Sequence, residues 1–435
     1  MTPLHNPLYT VLLLPCLVFM SGESPASSGQ PNPFEIVLKT SGDSLMTGVI
    51  QRAIDSCAMK GGGVVRFTGG CYHSGTLQLK SKVTLYLAKD ALIQGSNRYS
   101  DYINDAFFFG RDLSDFTIEG EGVIDGVDCY NPLGEEGFRG PHCIRLIGCK
   151  DFTIRGITIK NSANWAINCR YCSGAKVDKV TILGGHDGLH TRFCDNFTVS
   201  GCDFRTGDDA FAGNDNRDLL VTDCSINTSC NGFRMGCLNL TVQRCRFWGP
   251  GEYIHKIQQR HNMLSAFVHF SPEDENPQLE SGNWIIRDVA IENVDHVYRY
   301  NFEDGLWQTG QPVTSVRFEN VKATGVLSTF SITGDTERQF SLTVLNSSFG
   351  FREGTEAWTD IFEGVKMKST TFFNVCSFDQ INLRNVVFEK KEDPTLLYCV
   401  SGNTVILDNV RFNTGSGKQP APMKIENVSQ VKKQH

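Results

Sequence analysis

One apolar pattern recurs in five segments of the chain: DFTIRGITI (151–159), AKVDKVTI (175–182), NFTVSGCDF (196–204), DLLVTDCSI (218–226) and NLTVQRCRF (239–247). When the segments are aligned, one column contains Ile154, Val177, Val199, Val221 and Val242, and another contains Ile159, Ile182, Phe204, Ile226 and Phe247. The pattern recurs about every 22 residues and continues toward the C-terminus. Each repeat has two short alternating runs and no room for a crossover helix. The chain is therefore predicted to be all-β and to wind as a parallel β-solenoid, with turns stacked about 4.8 Å apart.

Length and composition fit such an elongated β protein. The 435 residues are 40% hydrophobic and 20% charged, which argues against a disordered chain. The formal net charge of -7 leaves no basic excess, so nucleic acid is excluded as the main partner. No linker divides the chain, and we expect one β domain at 33–414 followed by a polar tail at 415–435.

The N-terminus carries the apolar run VLLLPCLVFM (11–20), followed by small and polar residues. Ten apolar residues are too few to span a bilayer, but they match the hydrophobic region of a secretory signal. Residues 1–26 are therefore expected to be a cleaved signal peptide, and the protein to be secreted, extracellular or periplasmic, with no membrane span. The run is not preceded by Lys or Arg, which leaves a buried N-terminal segment as the alternative.

The segment DSLMTGVIQRAIDSCAMKGGG (43–63) has helical periodicity. Asp43 or Ser44 would cap the helix, and the three glycines would end it. Its predicted apolar face consists of Val49, Ile50, Ile54 and Cys57. Because a solenoid with an open apolar end needs a lid, this short helix is expected to be the N-terminal cap.

Three of the 16 cysteines fall in one inward column of the repeat, namely Cys202, Cys224 and Cys245. At such positions cysteine packs as a small apolar residue, so we expect buried free thiols. Bridges between stacked neighbours are the alternative.

Acidic residues collect where successive repeats turn. The position five residues beyond the Ile182 column holds Asp187, Asp209, Asn231 and Glu252, and Asp208 precedes Asp209. Equal offsets predict that these side chains lie on one edge of adjacent repeats. Like charges held together cost stability unless protons, cations or a substrate compensate, so such a cluster indicates a functional site.

Two carboxyl groups suffice to hydrolyse a glycosidic bond, because one protonates the leaving oxygen and the other activates water. Crowding should raise the pKa of at least one of them. The alternatives are Asp and Asn residues that merely form turns, or a Ca²⁺ site. The candidate substrate-binding residues around the cluster are Asn231, His186, His190, Arg234, His255 and Lys256; Arg234 and His255 lie eight residues beyond their column, as His190 does.

At these motifs the sequence resembles the polygalacturonase-like glycoside hydrolases of family 28, over roughly residues 45–330. GEGVIDG (120–126), NSANWAINCRYC (161–172), HDG (186–188) and GDD (207–209) carry the resemblance. It implies a right-handed, single-stranded parallel β-helix, the pectin lyase-like solenoid. By position, it also implies that Asp208 is the general acid and that Asp187 and Asp209 activate the water, with inversion of the anomeric centre.

Two positions depart from the family pattern. Asn231 stands where the family has the His of G-H-G, and the R-x-K motif that grips the galacturonate carboxylate has no clear counterpart near 261–270. His255 with Lys256, or Arg234, could take over that role in space. The retained carboxylates favour hydrolysis, whereas the missing Arg and Lys favour a neutral or differently branched sugar, or an exo-acting site.

We therefore expect a secreted, inverting glycosidase that acts on a pectin-like polysaccharide or oligosaccharide, galacturonate-containing or related. It should work as a monomer, without a cofactor or a metal. The competing hypotheses are a polysaccharide lyase or epimerase on the same scaffold, and a glycan-binding protein without catalytic activity.

Overall fold

A computed structural model describes residues 34–40, 42, 44–273, 276–303, 308–352, 371–390, 395–414 and 424–434. The first strands, β1 to β12, are Glu35–Leu38, Gly63–Phe67, Gly70–Ser74, Leu77–Gln78, Val83–Leu87, Ala91–Gly95, Ala106–Arg111, Thr117–Gly120, Val123–Asp125, His142–Ile147, Thr153–Arg155 and Thr158–Lys160. The next, β13 to β22, are Ile167–Arg170, Lys176–Asp178, Thr181–Gly184, Leu189–Arg192, Asp195–Ser200, Asp203–Thr206, Phe211–Thr222, Ser225–Thr228, Asn231–Gln243 and Arg246–Trp248. The last, β23 to β31, are Met263–His269, Trp284–Glu292, Val294–Asn301, Ser315–Val326, Ser328–Thr333, Phe340–Phe351, Thr371–Lys390, Thr395–Thr414 and Lys424–Gln434. Helical structure includes the α-helix α1, Thr47–Met59, and short 3₁₀ turns at Tyr99–Asp101 and Glu135–Gly137.

The described part of the protein is nearly all-β, and each repeat pairs in parallel with the next. Strand β11 pairs with β14, β14 with β17, and β17 with β19, all in parallel register. The register places the predicted columns side by side: Ile154 pairs with Val177, Val177 with Val199, Val199 with Val221, and Val221 with Val242. All of these side chains are buried. The apolar columns read from the sequence are confirmed.

A stack of aromatic rings runs through the core beside the candidate site. Phe211 and Phe233 stack at 4.3 Å between ring centroids, and Phe233 and Phe267 at 5.3 Å. Phe211 lies two residues after Asp209, and Phe233 lies two residues after Asn231. The stacked rings thus hold together the strands β19, β21 and β23, and Asp209 and Asn231 lie where the first two of these strands begin.

The cysteine column is buried, as predicted. Cys202, Cys224 and Cys245 are free thiols with little exposure. The Cys202 and Cys224 thiols donate to the backbone carbonyls of Ser200 and Thr222, at 3.3 and 3.2 Å. They fill the column as small apolar groups with a weak donor.

Three details at the chain ends differ from the predictions. Helix α1 begins at Thr47 after Met46, not at Ser44, and Asp43 lies outside the described residues. Its buried face includes Ala53 instead of Val49, since Val49 falls on the solvent side. Beyond 414, where a polar tail was predicted, β31 pairs in parallel with β30 and extends the sheet.

One prediction falls on a part of the chain that the structure does not describe. Residues 1–26, predicted as a signal peptide, lie outside the described residues. Among the helices that are described, none is long and apolar enough to cross a membrane.

Candidate active site

The three carboxylates predicted from the sequence lie together at one edge of adjacent repeats. The Gly188 N–H donates to the Asp209 carbonyl at 2.9 Å, and the Ala210 N–H donates to the Asn231 carbonyl at 3.0 Å. This ladder stacks the turn before β16 on the turn before β19. As a result, one carboxylate oxygen from each of Asp187, Asp208 and Asp209 lies within 4.8 Å of the other two.

Asp209 is fully buried and is held as an ion pair. Its Oδ2 pairs with the Arg234 guanidinium, and its Oδ1 accepts hydrogen bonds from the Asn231 backbone N–H (3.2 Å) and Nδ2 (2.9 Å). Burial raises the pKa of Asp209 more than the Arg234 charge lowers it. Arg234 itself lies over the Phe270 ring, 4.2 Å from its centroid. Asn231 and Arg234 therefore support a carboxylate.

Asp187 has a different environment. Its Oδ2 lies 2.9 Å from Nδ1 of His190, whose ring stacks on Trp165 at 3.5 Å. Burial lowers the pKa of His190 well below its ordinary value, so the imidazole is neutral. In the described part of the chain, Asp187 has no ion pair with a lysine or arginine. Burial, followed by the charges of Asp208 and Asp209, raises the pKa of Asp187 well above its ordinary range.

Asp208 lies between two cationic or proton-donating groups. Its Oδ2 is 3.6 Å from Nη2 of Arg139, and its Oδ1 is 3.5 Å from Nε2 of His255 and accepts the Asp209 N–H at 3.0 Å. Burial alone would raise the pKa of Asp208. The hydrogen bond and charge of His255 and the charge of Arg139 outweigh burial and hold this pKa below its ordinary value. Asp208 is the carboxylate of the three that is held most firmly in its ionised form.

The tautomer of His255 is fixed by the backbone. The N–H groups of Ile257 and Gln258 donate to its Nδ1, at 3.3 and 3.1 Å. In the neutral ring the hydrogen is therefore on Nε2, the atom that faces Asp208.

This tautomer also bears on metal binding. Ligand atoms of Asp208, Cys230 and His255 lie within 4.8 Å of one another. A cation there would need the Nε2 lone pair of His255, and a proton on Nδ1 that would face two backbone donors. The set of three carboxylates offers the oxygens that hard cations prefer, but Arg139 and Arg234 already supply positive charge to it.

Two loops bring Arg139 and His255 to Asp208. Loop 126–141 connects β9 to β10 and carries Arg139, and loop 249–262 connects β22 to β23 and carries His255. Lys256 joins them by an ion pair with Asp128. The Lys256 side chain crosses Gly185, where an added Cβ would lie 2.6 Å from its Cε.

Loop 249–262 also explains two errors of the sequence prediction. Counting at constant spacing placed Glu252 in the carboxylate column and His255 in the Arg234 column. The loop lengthens this repeat, so Ser265 pairs with Asn231, and Val268 pairs with Arg234. Glu252 instead pairs with Arg205 at 3.0 Å, and His255 reaches Asp208 from the loop.

His186, also predicted near the cluster, is buried. Its ring stacks on Phe138 at 5.9 Å, and its Nε2 has no hydrogen-bond partner. Burial, followed by the charges of Arg139 and Lys256, lowers the pKa of His186 to about 2. The sequence analysis missed two residues of the site, Arg139 and Trp165. Trp165 lies within the quoted motif NSANWAINCRYC, whereas Arg139 lies in a loop without periodic signal.

The segment that contains this geometry has known relatives. Residues 56–239 match the model of glycosyl hydrolases family 28. A "Probable polygalacturonase" of Vitis vinifera is 27% identical over 205 residues, which cover 39% of this chain and 41% of that protein. The chain thus spans less than half the length of this relative. The resemblance to family 28 is confirmed over a segment that contains all three carboxylates, Asn231 and Arg234.

Two solved structures share the fold. A hyperthermoactive exopolygalacturonase of Thermotoga maritima aligns with a TM-score of 0.59 at 17% identity, covering 74% of this chain and 89% of that one. A family 28 exopolygalacturonase of Yersinia enterocolitica also gives 0.59, at 16% identity, covering 92% of this chain and 78% of that one. At this identity the likeness concerns the fold.

Replacing Asp187 with Asn is expected to stabilise the folded protein at neutral pH. Because folding raises the pKa of Asp187, the native state binds more protons than the unfolded state above pH about 3.9, and stability falls as pH rises through that window. Asn removes this loss, so we expect a gain of about 0.5–2 kcal/mol at pH 7 and little gain at pH 3. Urea unfolding at both pH values measures it.

The matched control is Asp223→Asn. Asp223 is an exposed carboxylate whose pKa is lowered to about 2 by its hydrogen bond with Arg244, so its removal should bring no gain at pH 7. If the Asp187→Asn protein were less stable than the parent at pH 7, the ionised Asp187 would not destabilise the folded state, and the prediction would be wrong.

Proposed function

We propose that the protein is a glycoside hydrolase that cleaves a pectin-like polysaccharide or oligosaccharide, galacturonate-containing or related, with inversion at the anomeric carbon. The observation that carries the hydrolase is the cluster of Asp187, Asp208 and Asp209 within 4.8 Å, with the three carboxylates in unequal environments. Inversion is inferred from the resemblance to family 28 and not from the spacing of the carboxylates. Unequal environments are what acid and base roles require. The family 28 match over 56–239 supports the same reaction class.

In this reaction Asp208 protonates the glycosidic oxygen as the bond from the anomeric carbon to that oxygen breaks. Water attacks the anomeric carbon from the opposite face and gives its proton to the pair Asp187 and Asp209. Asn231 and Arg234 hold Asp209 in place for this step, and His190 orients Asp187.

Asp208 must carry a proton to act as the acid. In the substrate-free site Arg139 and His255 favour its ionised form. For Asp208 to act as the acid, a bound sugar chain must displace water from the site and weaken the contacts of Asp208 with Arg139 and His255. Catalytic hydrogen bonds commonly take their final form only in the complex.

We also propose that the repeats wind as a right-handed, single-chain β-helix, with α1 as its N-terminal cap. The parallel register of successive repeats and the fold shared with the two exopolygalacturonases support this. We further propose that the protein is a secreted monomer and that residues 1–26 are cleaved off.

The test is to incubate the purified protein with pectic and neutral plant or algal polysaccharides. Reducing ends and the ultraviolet absorbance of unsaturated sugars are followed together, with and without a chelator, and the anomer first released is read by NMR. We expect new reducing ends without absorbance, and an inverted anomer. Absorbance that is lost on chelation would instead identify a lyase. Tight binding without any cleavage would identify a glycan-binding protein.

A further inference from the structure

The two loops that meet at Asp208 form a rim of the site. Loop 126–141 contributes Arg139, and loop 249–262 contributes His255, at 3.6 and 3.5 Å from the Asp208 carboxylate. The bond between Lys256 and Asp128 ties the loops to each other. A sugar chain cleaved at Asp208 must therefore pass along this rim.

The rim exposes large apolar side chains. Tyr130 and Leu133 on loop 126–141 are 62% and 94% exposed, and Ile254 and Ile257 on loop 249–262 are 38% and 42% exposed. These four side chains lie on the two loops that contact Asp208, and exposed apolar surface at a binding site favours a partner with apolar surface. The C–H faces of sugar rings, and methyl groups attached to them, provide such a surface for aromatic and aliphatic side chains.

The cations on the rim already have partners within the protein. Arg139 makes two hydrogen bonds to Glu136, at 2.7 and 3.2 Å, and Lys256 pairs with Asp128. Recognition of a uronate carboxylate favours an arginine that can offer two N–H groups. Neither cation offers this without giving up a protein carboxylate.

Arg260, the remaining cation of the two loops, is held by neutral groups. It donates to Gln258 Oε1 (2.6 Å), to the carbonyls of Ser229 (2.9 Å) and Asn262 (3.1 Å), and to Cys230 Sγ (3.7 Å). Each of its three nitrogens thus has a partner in the protein.

The charge balance of the rim points the same way. The two loops carry four acidic side chains against three basic ones, and the rim borders three further carboxylates, of which Asp209 is paired with Arg234. A bound uronate would add another negative charge to this acidic rim. Repulsion between like charges would weaken binding of the uronate.

From these observations we propose that the rim formed by 126–141 and 249–262 binds uncharged sugar units next to the cleaved bond, such as methyl-esterified uronates or neutral sugars. This inference rests on the proposed hydrolase function and names the substrate class of the same site. Tyr130, Leu133, Ile254 and Ile257 supply the apolar contacts. The acidic residues of the rim disfavour a free uronate at that position.

The experiment compares an α-1,4-linked galacturonate oligomer with its fully methyl-esterified form, which has the same sugar and linkage. Cleavage is followed by product release, and binding to the full chain by calorimetry. We expect kcat/KM and affinity to be about tenfold higher for the ester. Added salt should improve binding of the free acid and leave the ester unchanged, because salt screens repulsion between charges. A neutral galactan oligomer in parallel distinguishes neutral sugars from esterified uronates.

Variants Tyr130→Ser and Leu133→Ser test the apolar contacts. Each should raise KM for the ester about threefold to tenfold, with kcat little changed. Val37→Ser is the matched control, because Val37 is 50% exposed and lies in β1, outside the two loops. This control should leave KM and kcat unchanged.

The other outcomes contradict either this inference or the proposed hydrolase activity on which it rests. Preference for the free acid, together with a selective rise of its KM in Arg260→Gln, would overturn the inference and make Arg260 the uronate ligand. Binding of the ester that depends on Tyr130, without cleavage of any oligomer, would support the inference and overturn the hydrolase. The inference also fails if no oligomer binds.

Discussion

An Asp208→Asn variant is expected to lose hydrolysis by about 10²-fold or more and to keep its affinity for the sugar chain. Asn preserves the shape of the side chain and its place between Arg139 and His255, but it removes the proton that the leaving oxygen needs. Initial rates and calorimetric affinity for the same oligosaccharide measure the two effects separately. Asp223→Asn, on a neighbouring repeat, is the control and should keep its full rate.

A substrate with an activated aryl leaving group sharpens this test. Such a leaving group departs without protonation, so the deficit of Asp208→Asn should largely disappear on it if Asp208 is the acid. The deficit of Asp187→Asn should persist, since activation of water is still required. The opposite pattern would assign the proton to Asp187, whose pKa is raised, and would make Asp208 a carboxylate that stays ionised throughout.

Replacing Arg234 with Met is expected to lower the free energy of unfolding by about 3–5 kcal/mol at pH 7. Arg234 pairs with Asp209, which is fully buried, so the variant leaves a buried carboxylate without its counter-charge. Urea unfolding measures the loss. The loss should shrink at pH 3, where Asp209, whose pKa is raised, takes up a proton.

A double variant separates the charge effect from lost packing. Asp209→Asn combined with Arg234→Met removes both charges, so it should recover part of the stability that Arg234→Met loses. Arg217→Met breaks an exposed ion pair with Asp195 and should change stability by about 0.5 kcal/mol or less. A similarly small effect of Arg234→Met would mean that Asp209 does not depend on the pair.

Sequence patterning predicted the repeat well because each column is set by local alternation. Val177 and Val199 are separated by one repeat, and their register needs only that neighbouring repeats have similar lengths. The same reasoning correctly brought Asp187, Asp209 and Asn231 to one edge. It failed at Glu252, because an insertion of unknown length shifts every position counted across it. His255 lies beside the cluster as predicted, but it comes from the inserted loop and not from the column.

The contacts between side chains of the site were harder to predict from the sequence. Arg139 comes from a loop whose path depends on its own turns, including Glu136 in the left-handed region at φ 57°. Nothing in the spacing relates Arg139 to Asp208, since the two residues meet only after the loop folds back over the repeats. The role of Asn231 was also open, because a polar side chain at an edge position can face either a substrate or a neighbouring carboxylate. The bond to Asp209 assigns it to the carboxylate.

The strands on either side of the insertion at 249–262 still pair in parallel, with Asn231 opposite Ser265 and Phe233 opposite Phe267. Repeat proteins tolerate such insertions because each unit is stabilised mainly by its neighbours. The loop can therefore be exchanged between Trp248 and Met263 while the strands on either side keep their register, provided that the new loop also places a histidine beside Asp208 as His255 does. Under the proposed function, exchange of this loop would change the sugars that contact the rim, while the repeats that carry Asp187, Asp208 and Asp209 keep their register.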